Sequence, residues 1–283
     1  MSIDRKEIKL QIGTNVVQTG AAYDWNLLSI DGEEMMEREI SLEQYVSDGA
    51  YIKNERYLPR YITVIVQSKD ASDALILARY IQAVDYFANE ADCVLTVYSH
   101  GLERWINCKL HKRENLSSKW HKRPHYKLTL TCASPWMQEA EIENTFRSSI
   151  PLLVFPMTSI AATGWLTGQT STGNEIVFDY NGQKENGFLL TLTATGAVTN
   201  PKVTNQNGDY VRVLDTLSNA EALTIDTRSG QKGVAVDGVT TKYDRLSTFF
   251  ELEKGENTLT VSADSGIANL VKVLTYTELY RGI

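Results

Sequence analysis

Patterns typical of β-strands run along most of this chain, and only one segment has the spacing of an amphipathic helix. Residues 61–66 are rich in β-branched side chains, and residues 126–132 alternate polar and apolar side chains with a period of two. The helical segment follows Asp70 and Ser72, whose side chains can accept hydrogen bonds from the free N–H groups of a first turn. We therefore predict a β-rich chain in which one helix packs on a sheet.

The predicted helix carries apolar residues at positions i, i+4, i+7 and i+11, a spacing that places them on one face. These residues are Leu77, Ile81, Val84 and Ala88. Strand patterns lie on both sides of this segment, so the first half of the chain is predicted to be an α+β domain.

The second half is predicted to be all-β. Of the 18 glycines, five precede residue 150 and thirteen follow it, many of them in turn signals between short strand patterns. This spacing is typical of a β-sandwich or a jelly roll.

Pro151 and Pro156 lie between the two halves, and proline is unfavourable in the interior of a helix or a central strand. We therefore predict an N-terminal domain over residues 1–145, a linker over residues 146–160 and a β-sandwich over residues 161–283.

Neither the cysteines nor the known catalytic motifs indicate an active site or a metal site. Cys93, Cys108 and Cys132 are spaced 15 and 24 residues apart, without the short-spaced pair that seeds a zinc site, so we expect buried structural thiols. The chain contains no GxSxG, HExxH, P-loop or helix-opening GxGxxG motif. The carboxylates of residues 31–39 could serve a glycosidase, but acidic surface loops are commoner. We predict no catalytic residue and no cofactor.

Charge and hydropathy restrict the partners. The net charge of −7 argues against general affinity for nucleic acids. No uncharged apolar run approaches the roughly 20 residues that span a bilayer. The N-terminal residues show no apolar signal segment, so we expect assembly in a cytoplasm.

One stretch of the chain is strongly basic. Residues 100–127 contain eight lysines and arginines but only two glutamates, a local charge of +6. A basic segment that meets an acidic face of a neighbouring copy is one interpretation, because complementary patches fix register in assemblies. A solvated loop and a phosphate-binding surface are the alternatives. The candidate contact residues are Arg104, Lys109, Lys112, Arg113, Lys119, Lys122 and Arg123.

The order of these segments resembles the distal tail proteins of long, non-contractile-tailed bacteriophages. An early strand that ends in Asp31-Gly32, a single helix and a strand that ends in Pro135-Trp136 carry the resemblance in the first half. The other matching passages are residues 57–64, 92–97, 104–108, 200–203, 222–227, 236–238, 249–259 and 280–283.

The resemblance implies a ring-forming N-terminal domain that closes into a hexamer and a galectin-like C-terminal β-sandwich at the periphery of that ring. Such a ring would lie in the virion between the tail-tube protein and the tail-tip or receptor-binding proteins. The resemblance implies a structural, non-enzymatic role, without a membrane or sequence-specific nucleic acid as partner. Segment 100–127 would then contact a neighbouring copy or line the lumen.

Two other functions remain open at this point. The second half could be a carbohydrate-binding module or part of a glycan-active protein, with Trp165, Tyr180 and Tyr210 as candidate stacking residues, although single aromatics are more often core or edge residues. The chain could also be a tail-tube protein, which would polymerise into stacked rings.

Overall fold

The computed structural model describes residues 6–34, 36–44, 50–70, 72–87, 92–117, 122–146, 148–151, 168–171 and 173–282. The chain divides into two compact units. Unit 1 comprises Met1–Ala140 together with Leu279–Ile283, and unit 2 comprises Glu141–Glu278.

Unit 1 contains one helix, α1 (Asp73–Phe87), and begins with ten strands. These strands are β1 (Glu7–Ile12), β2 (Asn15–Gln18), β3 (Trp25–Asp31), β4 (Arg38–Gln44), β5 (Ala50–Tyr57), β6 (Arg60–Ser68), β7 (Cys93–Ser99), β8 (Leu102–Asn115), β9 (His125–Cys132) and β10 (Met137–Gln138). Its main sheet is antiparallel and has the strand order β2-β1-β7-β8-β9-β6-β3, with β10 paired to one end of β8.

The core of unit 1 forms because its strands alternate buried and less buried side chains. In β6 and β9 every second residue is buried, which places Val64 and Leu128 on the same face of the sheet. Phe87 from the helix contacts Tyr126 with ring centroids 5.4 Å apart, and Trp25 with centroids 6.4 Å apart. Helix α1 therefore packs on the sheet mainly through aromatic contacts.

The face that α1 buries differs from the face that the apolar spacing marked. Ile76, Ala83 and Phe87 are buried, whereas Leu77, Ile81 and Val84 are 56, 58 and 51% exposed. Ala88 lies outside the described residues. Because the large ring of Phe87 fills the space beside Trp25 and Tyr126, the helix turns its aliphatic stripe to solvent.

Unit 2 is all-β within the described residues, apart from one short 3-10 helix (Ile267–Asn269). Its strands are β11 (Ile142–Thr145), β12 (Ser148–Pro151), β13 (Gly168–Ser171), β14 (Glu175–Tyr180), β15 (Phe188–Ala194), β16 (Val198–Thr199), β17 (Lys202–Asn205), β18 (Tyr210–Arg212), β19 (Thr216–Leu217), β20 (Ala222–Asp226), β21 (Gly233–Val236), β22 (Val239–Thr240), β23 (Gly255–Ser262) and β24 (Leu270–Tyr276). The two larger sheets have the strand orders β11-β24-β15-β20-β21-β22 and β14-β23-β17-β18.

One continuous apolar core fills unit 2. Phe188 and Phe250 contact each other with ring centroids 5.4 Å apart, and Tyr276 contacts Phe178 at 5.2 Å. Lys272 also points inward and is fully buried. Its Nζ donates hydrogen bonds to Asn174 Oδ1 and to the Leu270 carbonyl oxygen, both at 3.2 Å.

The boundaries between the units differ from the predicted ones. Residues 142–145 form β11, which pairs with β24 and so belongs to unit 2. The last strand, β25 (Leu279–Tyr280), pairs with β10 and so belongs to unit 1. Backbone pairing between distant segments causes both differences. Most of the predicted linker, residues 146–160, lies outside the described residues.

Candidate subunit-contact surfaces

Arg104, the first candidate in the basic stretch, is held inside unit 1. Its Nε donates to Glu139 Oε1 at 2.9 Å, its guanidinium lies 3.7 Å from the centre of the Tyr280 ring, and its Nη1 donates to the Gly282 carbonyl oxygen. Its side chain is 12% exposed. These contacts tie β8 to the last residues of the chain and leave little of the guanidinium for a neighbour.

Lys109 and Lys112 lie on the sheet face that points away from the core. Lys109 stands opposite Thr131 and Lys112 opposite Thr129, and both threonines alternate with buried residues of β9. Lys112 forms an ion pair with Glu114 at 2.6 Å, and Lys109 forms one with Asp92 at 3.3 Å. The Lys112 side chain holds the pKa of the Glu114 carboxyl below its usual value. Part of the local positive charge is thus neutralised within the sheet.

The remaining basic candidates lie near the connection between β8 and β9. Arg113, Lys122 and Arg123 are exposed, and the Lys122 carbonyl oxygen accepts a hydrogen bond from the Tyr80 hydroxyl at 3.2 Å. Lys119 lies outside the described residues. The fold therefore brings most of the basic side chains to one end of β8, while Arg104 stands at the opposite end.

A second surface, which the basic stretch did not indicate, is the hairpin of β4 and β5. Ile40, Leu42 and Ile52 are 50, 63 and 59% exposed. Leu42 stands directly opposite Ile52, and Ile40 is two residues before Leu42, so all three project from one face. Every residue of the two strands is exposed except Tyr57. The alternation of Ile40 and Leu42 with polar residues was the sequence signal that could have revealed it.

The opposite face of this hairpin carries ion pairs. Arg56 Nε lies 2.6 Å from Glu39 Oε2, and Lys53 Nζ lies 2.9 Å from Glu43 Oε2. The Tyr51 hydroxyl donates to the same Glu43 carboxylate at 2.7 Å, and these contacts hold the pKa of Glu43 below its usual value. The hairpin is thus amphipathic. One face carries these two ion pairs, and the other carries the three aliphatic side chains beside a third ion pair, in which Arg38 Nη2 lies 3.2 Å from Glu55 Oε1.

The three cysteines form a row across neighbouring strands. Cys93 of β7 stands opposite Cys108 of β8, and the register of β8 with β9 places Cys132 on the other side of Cys108. All three are buried and none forms a disulfide, as the sequence predicted. The Cys108 thiol is within hydrogen-bonding reach of both neighbouring sulfurs. These contacts and burial raise the pKa of Cys108, and the contact with Cys108 lowers the pKa of Cys93 and of Cys132. In the part of the chain that the structure describes, no group of three or more His, Cys, Asp or Glu residues could hold a metal ion.

Of the aromatic residues considered for sugar stacking, Tyr180 and Tyr210 are described by the structure, and the ring of Tyr180 is not accessible to a sugar. Tyr180 is fully buried, and its hydroxyl donates to the Lys184 carbonyl oxygen at 2.7 Å. Lys202 Nζ lies 4.2 Å from the centre of the Tyr210 ring. Trp165 lies outside the described residues.

The described helices include none that is both long enough and apolar enough to cross a bilayer.

Comparisons with known proteins show a match to one family model over part of the chain and a likeness of fold over nearly all of it. Residues 181–280 match the model of the siphovirus-type tail component, C-terminal domain. No curated protein sequence matches the chain. Among solved structures, the SPP1 Dit (gp 19.1) protein, described as a paradigm of the hub adsorption apparatus in phages that infect Gram-positive bacteria, aligns with 96% of this chain and 98% of its own. Its TM-score is 0.65 at 10% identity.

Chains of the phage P2 baseplate in its activated conformation align over similar lengths. The structure with calcium aligns with 99% of this chain and 100% of its own, with a TM-score of 0.54 at 9% identity. The structure with strontium has the same coverage and identity and a TM-score of 0.53. At these identities the likeness concerns the fold. Together with the match of residues 181–280 to the family model, it confirms the resemblance to siphophage distal tail proteins.

Proposed function

We propose that this protein is a structural component of a bacteriophage tail tip or baseplate, where copies close into a hexameric hub ring. The ring joins the tail tube to the tail-tip and host-adhesion proteins. One observation carries the proposal: residues 181–280 match the siphovirus-type tail component, in a chain that shares its fold with the SPP1 Dit hub protein.

Within this proposal the two units have different tasks. Unit 1 forms the ring, and unit 2, a galectin-like sandwich, is the platform on which other tail proteins dock. The protein is assembled in the cytoplasm of the host and remains in the virion tail. It needs no cofactor and performs no catalysis.

The distribution of exposed apolar side chains supports a ring built by unit 1. The hairpin β4–β5 and helix α1 both belong to unit 1, and both expose aliphatic side chains to solvent. A contact between two different surfaces of identical copies is heterologous, and it generates a ring when the rotation closes.

The basic candidates have a secondary place in the proposal. Lys109, Lys112, Arg113, Lys122 and Arg123 meet a neighbouring copy or the lumen, together with Lys119. Arg104 contributes indirectly, because it fixes the end of the chain against β8.

The test is the mass of the full-length protein in solution by light scattering at two salt concentrations, with negative-stain images of the same sample. We expect a discrete mass near six copies and particles with a central hole. Stacked rings of unlimited length would instead indicate a tail-tube protein. A monomer at every concentration would contradict ring formation by this chain alone and would favour the carbohydrate-binding alternative, which a glycan array with the full chain then tests.

A further inference from the structure

We propose that the aliphatic face of hairpin β4–β5 in one copy docks on the aliphatic stripe of helix α1 in a second copy. This inference rests on the proposed function, because it names the contact from which the ring is built. The hairpin contributes Ile40, Leu42 and Ile52, and the helix contributes Leu77, Ile81 and Val84.

The hairpin has the pattern of a structure with one buried face, but no other segment among the described residues covers that face. Its strands pair only with each other, and Ile40, Leu42 and Ile52 are at least half exposed. A two-stranded hairpin alone is marginally stable in water, and alternation of apolar and polar residues is typical of strands that bury one side. The cross-strand ion pairs of Glu39 and Glu43 lie on the other side, so the aliphatic face is the one left for a partner.

The helix shows the same imbalance. Leu77, Ile81 and Val84 form a stripe on the helix face adjacent to the buried one, and all three are more than half exposed. A stripe of this kind normally faces a core. Here the core contact is already made by Ile76 and Phe87, so the stripe is available for a second protein.

The two surfaces match in size. The stripe from Leu77 to Val84 is about 10 Å long at 1.5 Å per residue. The side chains of Ile40 and Leu42 are about 7 Å apart along β4, and Ile52 lies about 5 Å away on the neighbouring strand. One hairpin face therefore covers one helix stripe without leaving a large apolar remainder.

The charges at the ends of the two surfaces are complementary. Asp73 lies one turn before Leu77 on the same side of the helix, about 6 Å away along the axis. Arg38 lies two residues before Ile40 on the aliphatic face of the hairpin, about 7 Å away. Within the hairpin Arg38 forms an exposed ion pair with Glu55, whose Oε1 lies 3.2 Å from the Arg38 Nη2. When Ile40 rests on Leu77, the remaining N–H donors of the Arg38 guanidinium can approach the carboxylate of Asp73. These charges fix the direction in which the hairpin lies on the helix.

A second copy of this chain is the occupant that these observations favour. Both surfaces belong to unit 1 and both are exposed, so neither covers the other within one chain. Every copy supplies one hairpin and one helix, so each additional copy satisfies one free surface and presents another. Such a head-to-tail contact fits a ring, whereas a self-complementary patch would stop at a dimer.

The first experiment uses two single variants of the full chain, Leu42→Asp in the hairpin and Ile81→Asp in the helix. Each buries a carboxylate in the proposed contact, so each sample alone should lose the ring mass. Both residues are exposed in the single copy, so the circular dichroism spectrum should match that of the wild type, and the melting temperature should match it at a protein concentration that keeps every sample monomeric. An equimolar mixture should form dimers, because one variant keeps an intact helix and the other an intact hairpin. Val177→Asp, at an exposed aliphatic residue of unit 2, is the matched control and should leave the ring intact.

The second experiment reads the contact directly. A photo-crosslinking amino acid at position 42, in an equimolar mixture of ¹⁴N- and ¹⁵N-labelled protein, should give mixed-isotope crosslinks to peptides within 73–87. The same amino acid at position 41, on the charged face, is the control and should give none to that segment. A charge swap adds a third readout: Arg38→Glu should weaken association several-fold, and adding Asp73→Lys should restore it.

The outcomes separate this inference from the proposed function. A ring that survives both Leu42→Asp and Ile81→Asp, without crosslinks from position 42 to 73–87, would overturn the docking mode and keep the ring. Crosslinks without a ring would support the contact between hairpin and helix and would contradict the closure of a ring by this chain alone. Neither crosslinks nor a ring would overturn both.

Discussion

The two units of this protein differ in how many of their large apolar side chains are exposed. Unit 2 gathers its large apolar residues into one core and even buries Lys272 there. Unit 1 also has a complete core, but most of the large apolar side chains that stay exposed in the described residues belong to it. Within the described residues, unit 1 thus exposes more of its large apolar side chains than unit 2, which is the pattern expected of a surface that contacts other proteins.

This difference indicates where assembly depends on the sequence. A side chain that packs within one copy contributes to the folding of that copy, whereas an exposed aliphatic side chain contributes only when a partner covers it. Substitutions in the core of unit 2 should therefore change stability, and substitutions on the exposed faces of unit 1 should change association. The predictions below test that separation.

The largest effect is expected in the core of unit 2. Phe188→Ala removes a fully buried ring that contacts Phe250, and it should destabilise unit 2 by about 3–5 kcal/mol. Ile81→Ala on the exposed stripe should change the stability of the single copy by no more than about 0.5 kcal/mol. Urea unfolding at a protein concentration that keeps the samples monomeric measures both. Equal losses in the two variants would remove the distinction between the units.

A variant of Arg104 tests whether this predicted subunit-contact residue instead stabilises unit 1 within a single copy. Arg104→Ala removes the hydrogen bond to Glu139 and the contact with the Tyr280 ring, and should destabilise unit 1 by about 2 kcal/mol. The last residues of the chain should then be cleaved faster by carboxypeptidase. Arg113→Ala, at an exposed position of the same strand, is the control and should leave the cleavage rate unchanged. If Arg104→Ala abolished the ring but changed neither the unfolding free energy nor the cleavage rate, Arg104 would be a subunit contact after all.

Lys272 gives a pH-dependent test of the self-sufficient core. Burial lowers the pKa of its ammonium group below the usual 10.5, so the unfolded chain binds the proton more tightly than the folded one. Stability should therefore rise with pH between the lowered pKa of the folded state and 10.5. Lys272→Met should stabilise unit 2 by roughly 1 kcal/mol at neutral pH, and this advantage should shrink as the pH approaches 10.5. Thermal melts of both proteins over that pH range measure it, and a constant difference would contradict a buried ammonium group.

The smallest effect on folding is expected from the basic strand. Reversing the charges of Lys109, Lys112 and Arg113 should cost the single copy no more than about 1 kcal/mol, because the ion pairs of both lysines are exposed and Arg113 is itself exposed. If the proposed ring forms through these residues, the same reversal should weaken it at low salt and have less effect at high salt, where charges are screened. Light scattering at two salt concentrations measures this. An unchanged mass at low salt would remove these residues from the interface and leave the apolar docking surfaces as its basis.

Local patterns were sufficient to predict many elements of the fold. The β-branched run of residues 61–66 lies within β6, and the alternation of residues 126–132 lies within β9. The single helix begins directly after the predicted capping region, at Asp73. These features depend on residues close in sequence, which is why a reading of the chain could find them.

The burial and the contacts of the predicted site residues were harder to predict from local patterns. Arg104 and Lys109 belong to the same basic run, yet the first is enclosed by residues near the end of the chain and the second is exposed. The spacing of Leu77, Ile81 and Val84 correctly identified a helical stripe, but not which side of the helix would meet the core. That choice depended on Trp25 and Tyr126, which are distant in sequence and pack on Phe87.

The sequence by itself determined that this protein is β-rich with one helix, that its halves differ, and that its segments resemble siphophage distal tail proteins. Period, turn residues and composition are properties of neighbouring residues, so no folded structure is needed to see them. Only the tertiary structure decided that β25 pairs within unit 1, that Lys272 is buried, and that the aliphatic faces of the hairpin and the helix are exposed. Each of these depends on backbone pairing or packing between residues far apart in the chain, where the register and the available volume select one arrangement.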